Sequence, residues 1–125
     1  MNIEVMPKLD TTKYVGTDTE IVSATIITTK YGRCLHLKTA EIELKDGDTL
    51  PDDKKLHASL MLGFHENATG QTIIGKDSRL DDWLKSKKLT GADIPDDTQD
   101  GEQLQKFLGL KVKVQKNKNG FLDIV

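Results

Sequence analysis

The stretch Leu56-His57-Ala58-Ser59-Leu60-Met61-Leu62-Gly63-Phe64-His65 alternates without a fault and decides the fold. Leu56, Ala58, Leu60, Leu62 and Phe64 share one parity; His57, Ser59, Met61, Gly63 and His65 share the other. A period of two predicts a β-strand, and apolar residues on one parity alone predict an antiparallel sheet with one face in the core. A doubly wound parallel sheet would bury both faces and show an unbroken apolar run instead.

Working back towards the N-terminus, Asp46-Gly47-Asp48 and Pro51-Asp52-Asp53 mark a polar loop. Before it, Val22, Ala24 and Ile26 alternate with Ser23, Thr25 and Ile27 in a β-branched run that predicts another strand. Lys30-Tyr31-Gly32-Arg33 then predicts a hairpin turn, and strand character resumes. Leu35 and Leu37 differ in parity from Ile42 and Leu44, so a bulge is expected near Thr39 or Ala40. Residues 1–16, punctuated by Pro7 and Gly16, read as an extended lead-in or edge strand.

Working forward, Ser78 with Asp81 three residues on predicts a capping box, and Leu80, Trp83 and Leu84 give a short amphipathic helix. Asp100 is a candidate cap for a second short helix with the stripe Leu104, Phe107 and Leu108, stopped by Gly109. Leu110, Val112 and Val114 alternate with Lys111, Lys113 and Gln115 in a further strand. Asn117-Lys118-Asn119-Gly120 makes a turn, and residues 121–125 return as the last strand. The expectation is an all-β domain over residues 17–125, a five-stranded barrel with a small helical insertion at about 77–108.

Composition narrows the function classes. At 125 residues the chain has room for one domain with one modest core. Eighteen basic residues against twenty acidic give a net charge of -2, which points to neither a membrane nor nucleic acid as a whole-chain partner. No apolar stretch approaches the length of a membrane span, and residues 1–10 lack the apolar core of a secretion signal. Asn67-Ala68-Thr69 therefore reads as a chance match to a glycosylation acceptor. Cys34, the single cysteine, excludes an internal disulfide and suits a reducing cytoplasm.

The element order, a bent three-strand meander, a helix and a closing hairpin, resembles the five-stranded Greek-key barrel of the OB fold. It is similar in layout to small single-stranded nucleic-acid-binding proteins of that fold. The resemblance implies binding of single-stranded DNA or RNA across strands 2 and 3, in a replication or repair setting, without enzymatic chemistry or cofactor. It also implies two flanking loops, here residues 30–33 and 116–120. In bacterial-type members of this group a flexible acidic tail recruits partners. The acidic tract of this chain, Asp93, Asp96, Asp97, Asp100 and Glu102, is internal and reads as a solvated linker between helices.

Charge is unevenly spread in a way that fits this reading. Residues 30–38 hold Lys30, Arg33 and Lys38 and no acid, and residues 103–125 hold five lysines against Asp123 alone. Lys30, Arg33, Lys38, Lys111, Lys113, Lys116 and Lys118 are the candidate phosphate contacts, expected on one basic wall with the aspartates held away. Tyr31 is the candidate stacking platform, with His36 and His57 as weaker partners and Tyr14 as a further aromatic. Phe64, Trp83, Phe107 and Phe121 lie in apolar stripes and are expected in the core. With two arginines in the chain, bidentate base readout is not expected, so binding should tolerate sequence.

Three other readings compete with this one. The same barrel could serve as a protein-interaction or assembly module, a homo-oligomer included, through an outward patch at Met61, Ile21 and Ile27. Gly70-Gln71-Thr72-Ile73-Ile74-Gly75-Lys76-Asp77 approximates a phosphate-binding loop, but Asp77 stands where a magnesium-ligating hydroxyl belongs. Cys34, His36 and His57 could meet as a zinc site or thiol nucleophile only if strand register aligned them, and His65 lies roughly 26 Å further along an extended strand. Neither metal site nor catalytic residue is expected.

Overall fold

A computed structural model describes residues 9–50 and 54–125. Among the described residues the chain is β-rich, with one α-helix and a five-stranded antiparallel sheet in the order β3-β2-β1-β6-β7. The strands are β1 (Asp18–Thr29), β2 (Gly32–Thr39), β3 (Ser59–Gly63), β6 (Lys111–Lys116) and β7 (Leu122–Ile124). A separate small hairpin joins β4 (His65–Glu66) to β5 (Thr72–Ile73). Among the described residues no hydrogen-bonded ladder joins β3 to β7.

The alternation of 56–64 becomes a ladder as its pattern requires. β2 pairs with β3 through Leu35↔Leu62 and Leu37↔Leu60, and all four leucines are buried. Their neighbours His36↔Met61 and Lys38↔Ser59 face the other way. The strand itself is shorter than the pattern: Leu56 makes an isolated bridge to Ile42, and Phe64 is half-buried beyond the ladder.

The expected bulge sits on the opposite strand. Ile21 pairs with Thr39 and Ser23 with Lys38, so the extra residue is Val22 in β1, not Thr39 or Ala40 in β2. This insertion turns Ile21 into the core at 1% exposure and puts Val22 outside. Ile42 regains the core because β2 ends at Thr39, not because β2 bulges.

β1 pairs with β2 on one edge, and its other edge is covered as far as Ile26. Its first residues pair with β6, Asp18↔Lys113 to Glu20↔Lys111. Beyond them the edge is taken by residues 101–110 as that segment runs antiparallel to β1. The Leu110 carbonyl accepts from Ile21 N–H at 3.0 Å, and Leu104 N–H donates to the Ala24 carbonyl at 2.8 Å. Gly101 N–H donates to the Ile26 carbonyl at 3.0 Å. Ala24 N–H is satisfied by the Gln103 side-chain oxygen at 2.9 Å. An edge that would otherwise invite pairing with another chain is thereby closed.

The helix α1 (Arg79–Ser86) follows from its sequence: Ser78 Oγ caps it by accepting from Asp81 N–H at 3.2 Å. The Asp81 carboxylate binds Asp77 N–H at 2.8 Å instead of closing the reciprocal half of the expected box. Leu80, Trp83 and Leu84 are buried, and Trp83 stacks on Phe107 with ring centroids 6.4 Å apart. A complete capping box appears instead at the 3-10 turn after Thr90.

Asp100 caps no helix. Residues 105–107 form one 3-10 turn that places Phe107 and Leu104 in the core. The lead-in also departs from an extended strand: residues 11–14 form a 3-10 turn capped by Asp10, while residues 1–8 lie outside the described residues. So do residues 51–53 of the polar loop. Among the described residues no helix is long and apolar enough to cross a membrane.

Candidate nucleic-acid interface

The β1–β2 hairpin turns at Lys30 and Tyr31, with Gly32 at φ 117°, a conformation glycine adopts without steric cost. Thr29 Oγ1 accepts from Tyr31 N–H at 3.1 Å and donates to the Gly32 carbonyl at 3.0 Å, fixing the turn. Tyr31 is 87% exposed at the tip, and the Lys30 ammonium lies 5.1 Å from its ring centroid. An aromatic face with a cation beside it is the unit that stacks a base and neutralises its phosphate.

The second loop carries an aromatic that the sequence pattern assigned to the core. Phe121 is 70% exposed, while Leu122 and Ile124 are buried. Asn117 Oδ1 accepts from Asn119 N–H and Phe121 N–H at 2.9 and 3.0 Å, which shapes the turn and throws Phe121 outward. The period-two pairing of Leu122 with Ile124 is the signal that assigns Phe121 to the opposite face. Tyr14 moves in the other direction: it is 1% exposed and binds Asp48 and the Lys45 N–H, so it is no platform.

The cations fall into two groups. Arg33 binds Asp100 at 2.7 Å, Lys111 binds Glu20 at 2.9 Å and Lys113 lies 3.5 Å from Asp18. Lys30, Lys38, Lys116 and Lys118 have no acidic partner among the described residues; Lys116 donates to the Thr12 hydroxyl at 2.9 Å. The aspartates are therefore not held away from the basic residues. Asp100 reaches the hairpin itself, where the Thr28 hydroxyl and then the Arg33 guanidinium hold its carboxyl below the usual range. The acidic tract is likewise no free linker, since its end is strapped along β1.

The outward face of the β1-β2-β3 sheet has three cross-strand rows. Ser23, Lys38 and Ser59 form one; Thr25, His36 and Met61 the next; Ile27, Cys34 and Gly63 the third. His36 therefore faces Met61, and His57 lies before β3 with Nδ1 3.0 Å from the Thr39 carbonyl. Cys34, His36 and His57 do not come within metal-ligating reach of one another. Ile21, expected in an outward apolar patch with Met61 and Ile27, is in the core.

Two further constellations resolve as structure. Residues 72–73 of the Gly70–Asp77 segment pair with β4, so that segment is a hairpin rather than a cradle of open amides. Asp77, Asp81 and Asp82 come together at the start of α1, and Lys85 lies 2.9 Å from Asp81. That ammonium, followed by the Asp77 amide, holds the Asp81 carboxyl below its usual range.

Two adjoining hollows flank the hairpin. One of about 420 Å³ runs past Tyr31, Arg33, His65 and Thr72. The other, of about 360 Å³, lies between β5 and residues 91–98. Arg33, Phe64 and Thr72 line both. Neither includes Lys116 or Phe121, which line a third hollow of about 570 Å³ near Leu50 and Leu56. No family model, curated protein or solved structure matches the chain.

Proposed function

We propose that this protein is an OB-like module that binds single-stranded DNA or RNA with little sequence preference. The observation that carries the reading is Tyr31, a tyrosine 87% exposed at a hairpin tip with an ammonium over its ring. A large aromatic held in water by a hydrogen-bonded turn does no work for the core, and stacking a base is the use its chemistry fits. Phe121 on the β6–β7 turn, near Lys116 and Lys118 in sequence, supplies a second platform.

The strand order supports the OB-like layout. β1 is shared between the β2 hairpin and β6, a bulge bends it at Val22, and the helix falls between β3 and β6. The fifth strand follows β6 as a hairpin, as in a Greek-key barrel of that type. The lone Cys34 suits a cytoplasmic setting. The binder needs no cofactor and carries out no chemistry.

Four of the candidate cations, Lys30, Lys38, Lys116 and Lys118, lack an acidic partner among the described residues. If each meets one phosphate, log Kd should change with log salt with a slope of about 3. Fluorescence anisotropy of a short labelled oligonucleotide at a series of salt concentrations tests this. Binding at low salt, weakened by Lys116→Glu with Lys118→Glu, is the expected result. No binding at low salt, or indifference to that double reversal, refutes the reading.

A second reading, a protein-assembly module, draws on one observation. The outward face of β2 and β3 carries Cys34, His36, Ser59, Met61 and Gly63 with Lys38 as its single cation, and Met61 is 45% exposed. A stable oligomer by light scattering, together with no oligonucleotide binding, would favour it.

A further inference from the structure

The two hollows beside the hairpin are one trough with two characters. The outer part, with Tyr31 and His65 in its wall, is the more polar. The inner part is walled by Ile26, Phe64, Ile73, Ile74 and Ile94, with Gln71 and Asp96 offering hydrogen-bonding groups. Arg33 belongs to both parts. A half-open hollow of about 360 Å³, with apolar walls interleaved with Arg33, Gln71, Thr72, Asp96 and Thr98, falls within the size range of small-molecule sites.

We propose that the inner chamber receives a single nucleobase of the bound strand. This rests on the single-strand-binding reading. The neighbouring base stacks on Tyr31 and the intervening phosphate sits on Arg33. Arg33 carries five N–H donors, and Asp100 is its one side-chain partner among the described residues. Donors therefore remain for a phosphate at the junction of the two parts. The flat faces of a base match the aliphatic and phenyl walls, and its polar edge finds Gln71 and Asp96. An unpaired base enters at little cost, because a single strand has no pairing to break.

A free nucleotide has the same chemistry, base plus phosphate, so the test needs both sources. The probes are an oligonucleotide with one internal 2-aminopurine and the 2-aminopurine mononucleotide. Anisotropy measures strand binding, and acrylamide quenching of 2-aminopurine measures shelter of that base. Two variants obstruct the chamber. Thr72→Trp fills the junction. Gly91→Val adds bulk to the wall, since a Cβ at Gly91 lies 3.1 Å from Ile74 Cδ1. Circular dichroism establishes that each is folded, and the second serves if the first is not.

The expected result is a base several-fold less quenchable in the complex than in the free strand. Either folded variant should abolish that shelter and weaken strand binding roughly fivefold or more, the loss typical of one stacked base. A strand that binds with its 2-aminopurine as quenchable as before overturns the chamber while leaving strand binding intact. Shelter of the mononucleotide with no binding of any oligonucleotide overturns both, and assigns the chamber to a free nucleotide.

Discussion

The Arg33 guanidinium and the Asp100 carboxylate, 67 residues apart in the chain, meet at 2.7 Å beside the β1–β2 hairpin. Thr28 binds the same carboxylate from the neighbouring strand position. The acidic segment thus ends on a residue that a phosphate would also seek. Replacing Asp100 with Asn removes the competing charge while keeping a group that the Thr28 hydroxyl can bind. Affinity for a single-stranded oligonucleotide should rise about two- to fivefold at low salt, the scale of an exposed ion pair, with the gain shrinking as salt screens it. Unchanged or weaker binding by anisotropy would show that Asp100 does not compete for the ligand.

Tyr31 and Phe121 separate binding from stability. Both are largely exposed, at 87% and 70%, so neither contributes much to the core. Truncating either to Ala should leave the thermal midpoint within about a degree or two. The same change should weaken oligonucleotide binding by roughly fivefold or more, since each stacked base contributes about 1–3 kcal/mol. A Tyr31→Phe variant should bind like the parent, because stacking uses the ring and not the hydroxyl. Equal losses in Tyr31→Phe and Tyr31→Ala would remove stacking as the cause.

Stability should fall on acidification, and the sign follows from the carboxylates. Lys13 and Tyr14 both bind Asp48 and hold its carboxyl below its ordinary 3.8. Asp81, Asp93 and Asp100 are displaced in the same direction by Lys85, by the Thr90 amide and by the Thr28 hydroxyl. A carboxyl with a depressed folded pKa contributes stability that is complete above its unfolded value and lost as pH falls through its folded one. The urea midpoint should therefore hold steady down to about pH 5 and drop below about pH 4. Asp48→Asn should start lower and drop less steeply. Tyr14 acts at the other end: burial and then Asp48 raise its phenol above 10.0, so its contribution holds below pH 10 and is lost as pH rises through that higher value. A midpoint that climbs below pH 4 would contradict the carboxylate assignment.

What the chain's pattern made legible was whatever lies within one ladder. The parity of Leu35, Leu37, Leu60 and Leu62 places all four in the core from alternation alone, and Gly32 marks its own turn. Phase jumps are visible in such a pattern but their owner is not. The parity change before Ile42 suggested a bulge in β2, whereas the inserted residue is Val22 on the strand it faces. Long-range polar pairs carry no periodicity, so Arg33 with Asp100 and Tyr14 with Asp48 had no signature. Phe121 escapes the pattern because an aromatic beside Leu122 looks like core unless strand parity is counted from the turn.

The end of the β2–β3 ladder offers a last test of how this sheet is held. Thr39 N–H donates to the Ala58 carbonyl at 3.0 Å, but the Ala58 N–H is satisfied by the Thr39 side-chain oxygen, also at 3.0 Å. The same hydroxyl donates to the Ala40 carbonyl, and both Thr39 and Ala58 are fully buried. Val has nearly the shape of Thr, so Thr39→Val leaves packing intact and removes the hydroxyl alone. It strands the Ala58 N–H without water, which costs about 1–3 kcal/mol. Thr39→Ser keeps the oxygen and loses a methyl group, about 1 kcal/mol. Urea unfolding should therefore rank the parent above Ser and Ser above Val. Because the Thr39 hydroxyl is buried and bonds the Ala40 carbonyl and the Ala58 N–H, not a proposed contact, oligonucleotide affinity should not change while the domain is folded. A Val variant as stable as the parent would mean that the Ala58 N–H finds another acceptor.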